Sequence, residues 1–244
     1  MRKMMMRTAI AAAIVVAGGA ALASGPVSSF AGILADPGRP EADRARDADR
    51  KPAELIAFAK LRRGAQVAEL APGGGYFTRL LSAFVGPNGH IYAVAARPSP
   101  ALTDIAGNHP NVSIVAGGPG EIPVPNAVDM VWTTLNYHDF KNSKQGDNDA
   151  AVLFNRAAFK ALKPGGIYLI VDHQAAPGAG ASVTSTLHRI EESVVKREVA
   201  AAGFRLDGES SLLRHAADDH SLKVIETGVR GKTDQFILRF RKPR

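Results

Sequence analysis

The chain has 244 residues, 45% hydrophobic and 22% charged, which suits one sizeable globular domain with no composition break to suggest a second. It contains no cysteine, so disulfides and a lipid-modified cysteine are excluded. The formal charge of +7 gathers near the two ends, and no basic stripe carries interleaved aromatics, which argues against nucleic-acid binding.

Arg2, Lys3 and Arg7 precede an apolar, small-residue run, and Ala21-Leu22-Ala23 fits a small-x-small cleavage site. Residues 1–23 therefore read as a signal peptide and predict an exported, periplasmic protein. The run is short for a membrane span of roughly 20 residues, so no stable span is expected after cleavage. Cleavage removes three basic residues and no acidic one, leaving +4. Residues 24–41, rich in Gly, Pro, Ser and Ala, read as a linker, and 42–244 as the folded domain. The charges Asp43, Arg44, Arg46, Asp47, Asp49, Arg50 and Lys51 read as a solvated helix face before a break near Pro52. The basic tail from Arg230 to Arg244 reads as a solubilising strand edge.

Strands and helices then alternate. A strand at 65–70 ends in Glu69-Leu70, then come Ala71-Pro72-Gly73-Gly74-Gly75 and a helix over 76–85. Glycines permit positive φ and let a ligand approach the backbone, while the helix start offers unpaired N–H groups. A nucleotide-like cofactor is the usual occupant of such a crevice. Strands follow at 90–95, 111–115 and 127–133, with a weak helix after Pro98. A helix is predicted over 147–162, a strand over 167–171, a loop over 174–183, and a helix carrying Leu187, Ile190, Val194 and Val199 that ends at Gly203. Strands near 204–213 and 234–242 finish the chain. This alternation predicts an α/β domain, a mostly parallel sheet covered by helices on both faces with a late antiparallel pair.

The order of these elements, the glycine turn after the first strand and Leu162-Lys163-Pro164-Gly165-Gly166 before the fifth resemble class I S-adenosylmethionine-dependent methyltransferases. More closely, the chain resembles a family of exported bacterial proteins called predicted methyltransferases. That likeness rests on residues 73–78, Asn136-Tyr137-His138-Asp139, Asp172-His173, Leu187-His188-Arg189-Ile190 and Arg230-Gly231-Lys232-Thr233-Asp234. The resemblance implies a Rossmann-like, seven-stranded sheet in the order 3-2-1-4-5-7-6. It also implies S-adenosylmethionine as cofactor and methyl transfer to a small molecule. Glu69, Ala71, Gly73, Gly74, Gly75 and Tyr76 would be the cofactor-binding residues. Three positions depart from the family pattern: Ala71 replaces the first loop glycine, Ala95-Ala96-Arg97 replaces the ribose carboxylate, and Gly117-Gly118 replaces the acid expected near adenine. Losing the ribose carboxylate removes a charged hydrogen bond worth about 1.5–3 kcal/mol.

In the implied sheet the fourth and fifth strands are neighbours, so His138-Asp139 and Asp172-His173 meet at the carboxyl edge, where such folds bind ligands. These four are the candidate catalytic residues. Three readings stay open for them: His138 as general base, a divalent metal held by His and Asp, or side chains that tie down loops. The sequence assigns no residue as a metal ligand. His188 and Arg189, near a helix start, are candidate substrate-binding residues, and Glu192 with Lys196 forms an i,i+4 pair. Two other classes remain open: a binding protein of the same fold without methyl transfer, and an NADP-linked oxidoreductase using Arg97. The latter lacks the third fingerprint glycine, which is Thr78 here.

Overall fold

The computed structural model describes residues 30–244; the leader-like segment 1–23 and linker residues 24–29 lie outside the described residues. The chain opens with α1 (Phe30–Leu34), α2 (Glu41–Arg44), α3 (Asp47–Arg50) and α4 (Pro52–Phe58). Helix α1 falls inside the stretch expected to be a linker. Phe30, Ile33 and Leu34 stand at helical spacing, and Ile33 is buried in the core. The expected break comes before Pro52, which sits at N1 of α4.

Next come β1 (Gln66–Leu70), α5 (Tyr76–Val85), β2 (His90–Val94), α6 (Pro100–Asn108), β3 (Val112–Val115) and β4 (Val128–Thr134). Ser99 caps α6 by accepting from the Leu102 N–H at 3.2 Å. A one-turn helix, α7 (Tyr137–Phe140), leads into a small hairpin of β5 (Lys144–Gln145) and β6 (Asn148–Asp149). Asp149 then caps α8 (Ala150–Ala161) through the Val152 N–H at 3.0 Å. The chain ends with β7 (Leu162–His173), α9 (Glu192–Ala201), β8 (Arg205–Ser210) and β9 (Gln235–Arg241).

Seven strands make one sheet in the order β3-β2-β1-β4-β7-β9-β8. The hairpin takes two strand numbers but stands outside the sheet. All neighbours are parallel except β7–β9 and β8–β9, so β9 runs against the rest. This is the Rossmann-like class I methyltransferase fold. One face packs Val67, Met130, Trp132 and Leu169 under α1, α4, α5 and α6; the other packs Ala68, Val131, Tyr168 and Ile170 under α7, α8 and α9. The strict alternation of neighbours between the two clusters is what a strand buried on both sides requires.

Besides α1, two later elements differ from expectation. Strand β7 begins at Leu162 rather than 167, because Leu162 pairs with Val128 across a register shift before regular pairing resumes at Met130–Ile167. The last long helix begins at Glu192, so Leu187 and Ile190 lie outside it. They are held by backbone bonds instead: Ile190 N–H donates to His173 O and Ala175 N–H to Ile190 O, each at 3.0 Å. Ordering residues 187–190 beside the end of β7 satisfies these amides better than continuing the helix backward. Among the described residues no helix is long and apolar enough to cross a membrane.

Of the two glycines that stand where an acid is expected after β3, Gly117 has a packing cause, whereas a Cβ on Gly118 would meet nothing within 4 Å. A Cβ on Gly117 would lie 2.6 Å from Val94 Cγ1 and 2.9 Å from the Glu121 carbonyl oxygen. Gly117→Ala is therefore expected to cost about 1–3 kcal/mol by overpacking, read as a lower urea midpoint with an unchanged m value. An unchanged midpoint would show that this turn is looser than described.

Candidate functional site

The carboxyl ends of β1, β2 and β4 open onto a cleft with two lobes. One, about 250 Å³, is lined by Glu69, Ala71, Gly73, Gly74, Tyr76, Asn136 and residues of the N-terminal helices. The other, about 420 Å³, is lined by Ala95, Ala96, Arg97, Ser99, Gly118 and Phe154, and shares Ala71, Pro72, Gly73 and Asn136 with the first. Larger cavities of about 720 and 480 Å³ border the amino-terminal ends of the strands, away from every candidate residue.

The glycine turn divides its labour. A Cβ on Gly73 or Gly74 would meet nothing within 4 Å, so both backbones face open cleft. Gly75, at φ +80°, is buried, and its Cβ would fall 2.2 Å from Ile105 Cδ1. Gly75 thus packs α5 against α6 and does not face the cleft. Ala71 takes the left-handed backbone (φ +50°) that a glycine would adopt freely, a conformation costing an L-residue roughly 1–2 kcal/mol. Two bonds hold it there: its N–H donates to Val94 O at 3.1 Å, and Asn136 Nδ2 donates to its carbonyl at 3.1 Å. Asn136 also donates to Thr134 O at 2.6 Å, which fixes the glycine turn to the end of β4.

Glu69 is buried and accepts from Thr78 Oγ1 at 2.6 Å. Burial pushes its carboxyl up to about 7, against the Thr78 hydrogen bond and the nearby Arg50 charge. Tyr76 is scaffold as well as lining. Its hydroxyl donates to Asp47 at 2.7 Å, and Arg50 lies 4.5 Å from its ring centroid. The charge run expected to be a solvated face is thereby corrected. Asp47 is bound by Arg39 through two bonds of 2.7 Å, Arg79 reaches Asp43 at 2.6 Å, and Asp43, Arg46 and Arg50 line the cleft. Burial is the main reason Arg50 falls to about 10, with Arg46 adding repulsion. The alternating signs, Asp43, Arg46, Asp47 and Arg50 at helical spacing, were the signal in the sequence.

At the ends of β4 and β7 the two His-Asp pairs do meet. Asp172 is fully buried and accepts from His138 Nδ1, His138 N–H and His173 N–H at 2.7, 2.7 and 2.8 Å. Accepting from the ring, it fixes a proton of His138 on Nδ1, so that in the neutral imidazole Nε2 is the nitrogen with the lone pair. Burial pulls the His138 imidazole down, but the charge and hydrogen bond of Asp172, helped by Asp139, carry it above the ordinary value. Asp139 is exposed and sits 3.4 Å from His138 Nε2 and 3.1 Å from His188 Nδ1. His173 stands behind the group, its ring centroid 5.9 Å from that of His138 and its Nδ1 2.8 Å from Thr233 Oγ1. Burial drives His173 down to about 4.

The candidate substrate residues separate. His188 joins the cluster from a left-handed backbone (φ +55°) and is half-buried. Arg189 does not reach the cleft. It is fully buried, pairs with Asp218 through bonds of 2.8 and 3.0 Å, and donates to the carbonyls of Gln174 and Leu222. Every nitrogen of the guanidinium is bonded to protein, so Arg189 anchors the segment that presents His188. Helix α7 is anchored similarly: Tyr137 donates to Glu198 at 2.9 Å and accepts from Asn155 at 2.7 Å, and Phe140 packs on Phe154.

No family model matches the chain. Part of it is similar to a protein-L-isoaspartate O-methyltransferase of Ignicoccus hospitalis, 29% identical over 124 residues that make up 48% of this chain and 52% of that one. The chain thus spans about half the length of the curated relative it matches. Solved structures with the same fold include a SAM-dependent methyltransferase from Aquifex aeolicus (TM-score 0.60, 17% identity, 87% of this chain and 98% of that one). Another is described as a sarcosine dimethylglycine methyltransferase from Galdieria sulphuraria (TM-score 0.59, 18% identity, 83% and 88%). A third, the cyclase SpnF (TM-score 0.58, 16% identity, 80% and 81%), shares the fold under a different activity.

The environment of His173 has a measurable consequence. Burial holds its folded value down to about 4, below the ordinary 6.5, so the unfolded chain binds the proton first as pH falls. Its contribution to stability is complete above pH ~6.5 and is lost progressively toward pH ~4, about 3 kcal/mol in all. The stability difference between the wild type and His173→Gln, from urea unfolding, should change by that amount between pH 7.5 and 4. Parallel pH curves for the two proteins would contradict the burial described.

Proposed function

We propose that the chain is an S-adenosylmethionine-dependent methyltransferase acting on a small molecule. The observation that carries this reading is the pairing of a carboxylate with guanidinium groups beside open glycines. Glu69, Arg46 and Arg50 line one lobe with Gly73 and Gly74, a set that matches the ammonium and carboxylate of an amino-acid moiety. The second lobe, continuous with it through Ala71, Pro72, Gly73 and Asn136, suits a nucleoside. There the lining is mainly apolar, and the fit to ribose is made without a carboxylate, which lowers affinity relative to a site that has one.

When bound, the cofactor would supply an electrophilic methyl group. What this chain supplies is position and polarity. Asn136 holds the glycine turn against β4, Glu69 and the arginines orient the amino-acid end, and α7 carries His138 and Asp139 two and three residues beyond Asn136. The acceptor is proposed to lie against His138, Asp139 and His188. Their role would be to orient its nucleophilic atom and stabilise that atom without its proton. Asp172 would act through His138, by fixing its ring, and His173 through packing behind it. The same proposal puts this activity in the periplasm, a reading supported by the leader-like pattern of residues 1–23. N-terminal sequencing of the secreted protein should begin at Ser24.

Gly74→Ala tests the cleft with little cost to the fold, because its Cβ points into open space. Calorimetric titration of the wild-type chain should show saturable binding of S-adenosylhomocysteine. Gly74→Ala should weaken it roughly tenfold or more, with an unchanged unfolding midpoint. No heat from the wild type at millimolar ligand would overturn the proposed function, and equal affinities would move the ligand away from the glycine turn.

A further inference from the structure

His138, Asp139 and His188 offer three ligand atoms that all lie within 4.8 Å of one another. Their spacing separates two explanations. Asp139 to His188 Nδ1, at 3.1 Å, is within hydrogen-bond range, but His138 Nε2 to Asp139, at 3.4 Å, is longer than a good one. Donors bonded to one cation at about 2.1 Å stand roughly 3.0–3.4 Å apart, which both distances approach. The second requirement is a ring nitrogen held in a fixed direction. Asp172, fully buried, holds the proton of His138 on Nδ1 and aims Nε2 at the group. A carboxylate behind a ligating histidine is the usual outer partner of a metal site. The third is a frame that delivers the remaining ligand. His188 keeps a left-handed backbone, and the Arg189–Asp218 pair next to it holds that segment in place.

We propose that His138 Nε2, Asp139 and His188 Nδ1 bind one divalent transition-metal ion of the zinc and cobalt type. Two imidazoles and one carboxylate favour such an ion over magnesium, which takes oxygen ligands. Asp139 and His188 are 48% and 30% exposed at their side chains, so the remaining coordination positions face solvent and can take an oxygen of a small molecule. The inference rests on the cluster being the acceptor side of the proposed methyltransferase, but the binding of the ion itself does not require that reaction.

The test uses the full chain stripped of metal with a chelator and titrated with cobalt(II), followed by visible absorption, and with zinc(II), followed by calorimetry. The wild type should take up one equivalent and develop the cobalt ligand-field bands. Asp139→Asn and His188→Asn should each weaken uptake at least tenfold while keeping the thermal midpoint of the metal-free protein, since asparagine tolerates the left-handed backbone at 188. His109→Ala, at the opposite edge of the sheet, should bind as the wild type does. Asp172→Asn should weaken uptake roughly 10–100-fold through the orientation of His138. No uptake by the wild type, equal uptake by both ligand variants, or a preference for magnesium would overturn the proposal. Titration of the metal-free chain with S-adenosylhomocysteine is read separately, so failure of cofactor binding bears on the proposed function alone.

Discussion

Asp172, one residue before the end of β7, lies inside the protein out of contact with water, and three N–H donors converge on its two oxygens. A buried carboxylate left without partners would cost several kcal/mol, so the chain must bring donors to it. Two come from His138 and one from His173. That requirement decides where α7 sits, because the His138 backbone and ring must both face β7. It also decides which nitrogen of His138 is free. The cluster at this end of the cleft, Asp139 on the same helix turn and His188 across from it, takes its position from this one carboxylate.

The other side of the cleft depends on a second tie, the Asn136 amide, which binds the glycine turn and the end of β4 at once. Because Asn136 precedes α7 by one residue, the two ties are mechanically linked. The glycine turn, the end of β4 and the histidine cluster form one rigid arc along the carboxyl edge of the sheet. Above it the N-terminal helices close the smaller lobe of the cleft with Arg46, Arg50 and Asp43, while Tyr76 and Asp47 fasten them down. The arc explains how a helix of one turn can present chemistry: its strength lies in Tyr137, Phe140 and Asp172 and not in its own hydrogen bonds.

Much of this was legible in the chain. The strand–glycine–helix signal located β1, the turn and α5, whose bounds match because Tyr76 begins and Gly86 stops an unambiguous helical pattern. Neighbouring strands in the expected order brought His138 and Asp172 together. The rest depended on tertiary contacts with no local signature. Arg189 reads as a surface residue by type, and only Asp218, 29 positions away, makes its burial possible. His188 reads as helical by spacing, but the pairing of Ile190 with the end of β7 overrides that pattern. Gly75 looks like its neighbours in sequence, yet Ile105 fills the space beside it. The charged segment before Pro52 did carry a signal, opposite charges at helical spacing, but charge alone does not say what a helix lies against.

The claim at the centre of this account is that Asp172 fixes the proton of His138 on Nδ1. Long-range proton–nitrogen NMR of the histidine rings, recorded at alkaline pH where His138 is neutral, reads that tautomer directly. The account predicts a protonated Nδ1 and an unprotonated Nε2 for His138, with the Nδ1 proton shifted far downfield by its bond to a buried carboxylate. An Nε2–H tautomer, or a rapidly averaged ring, would contradict it.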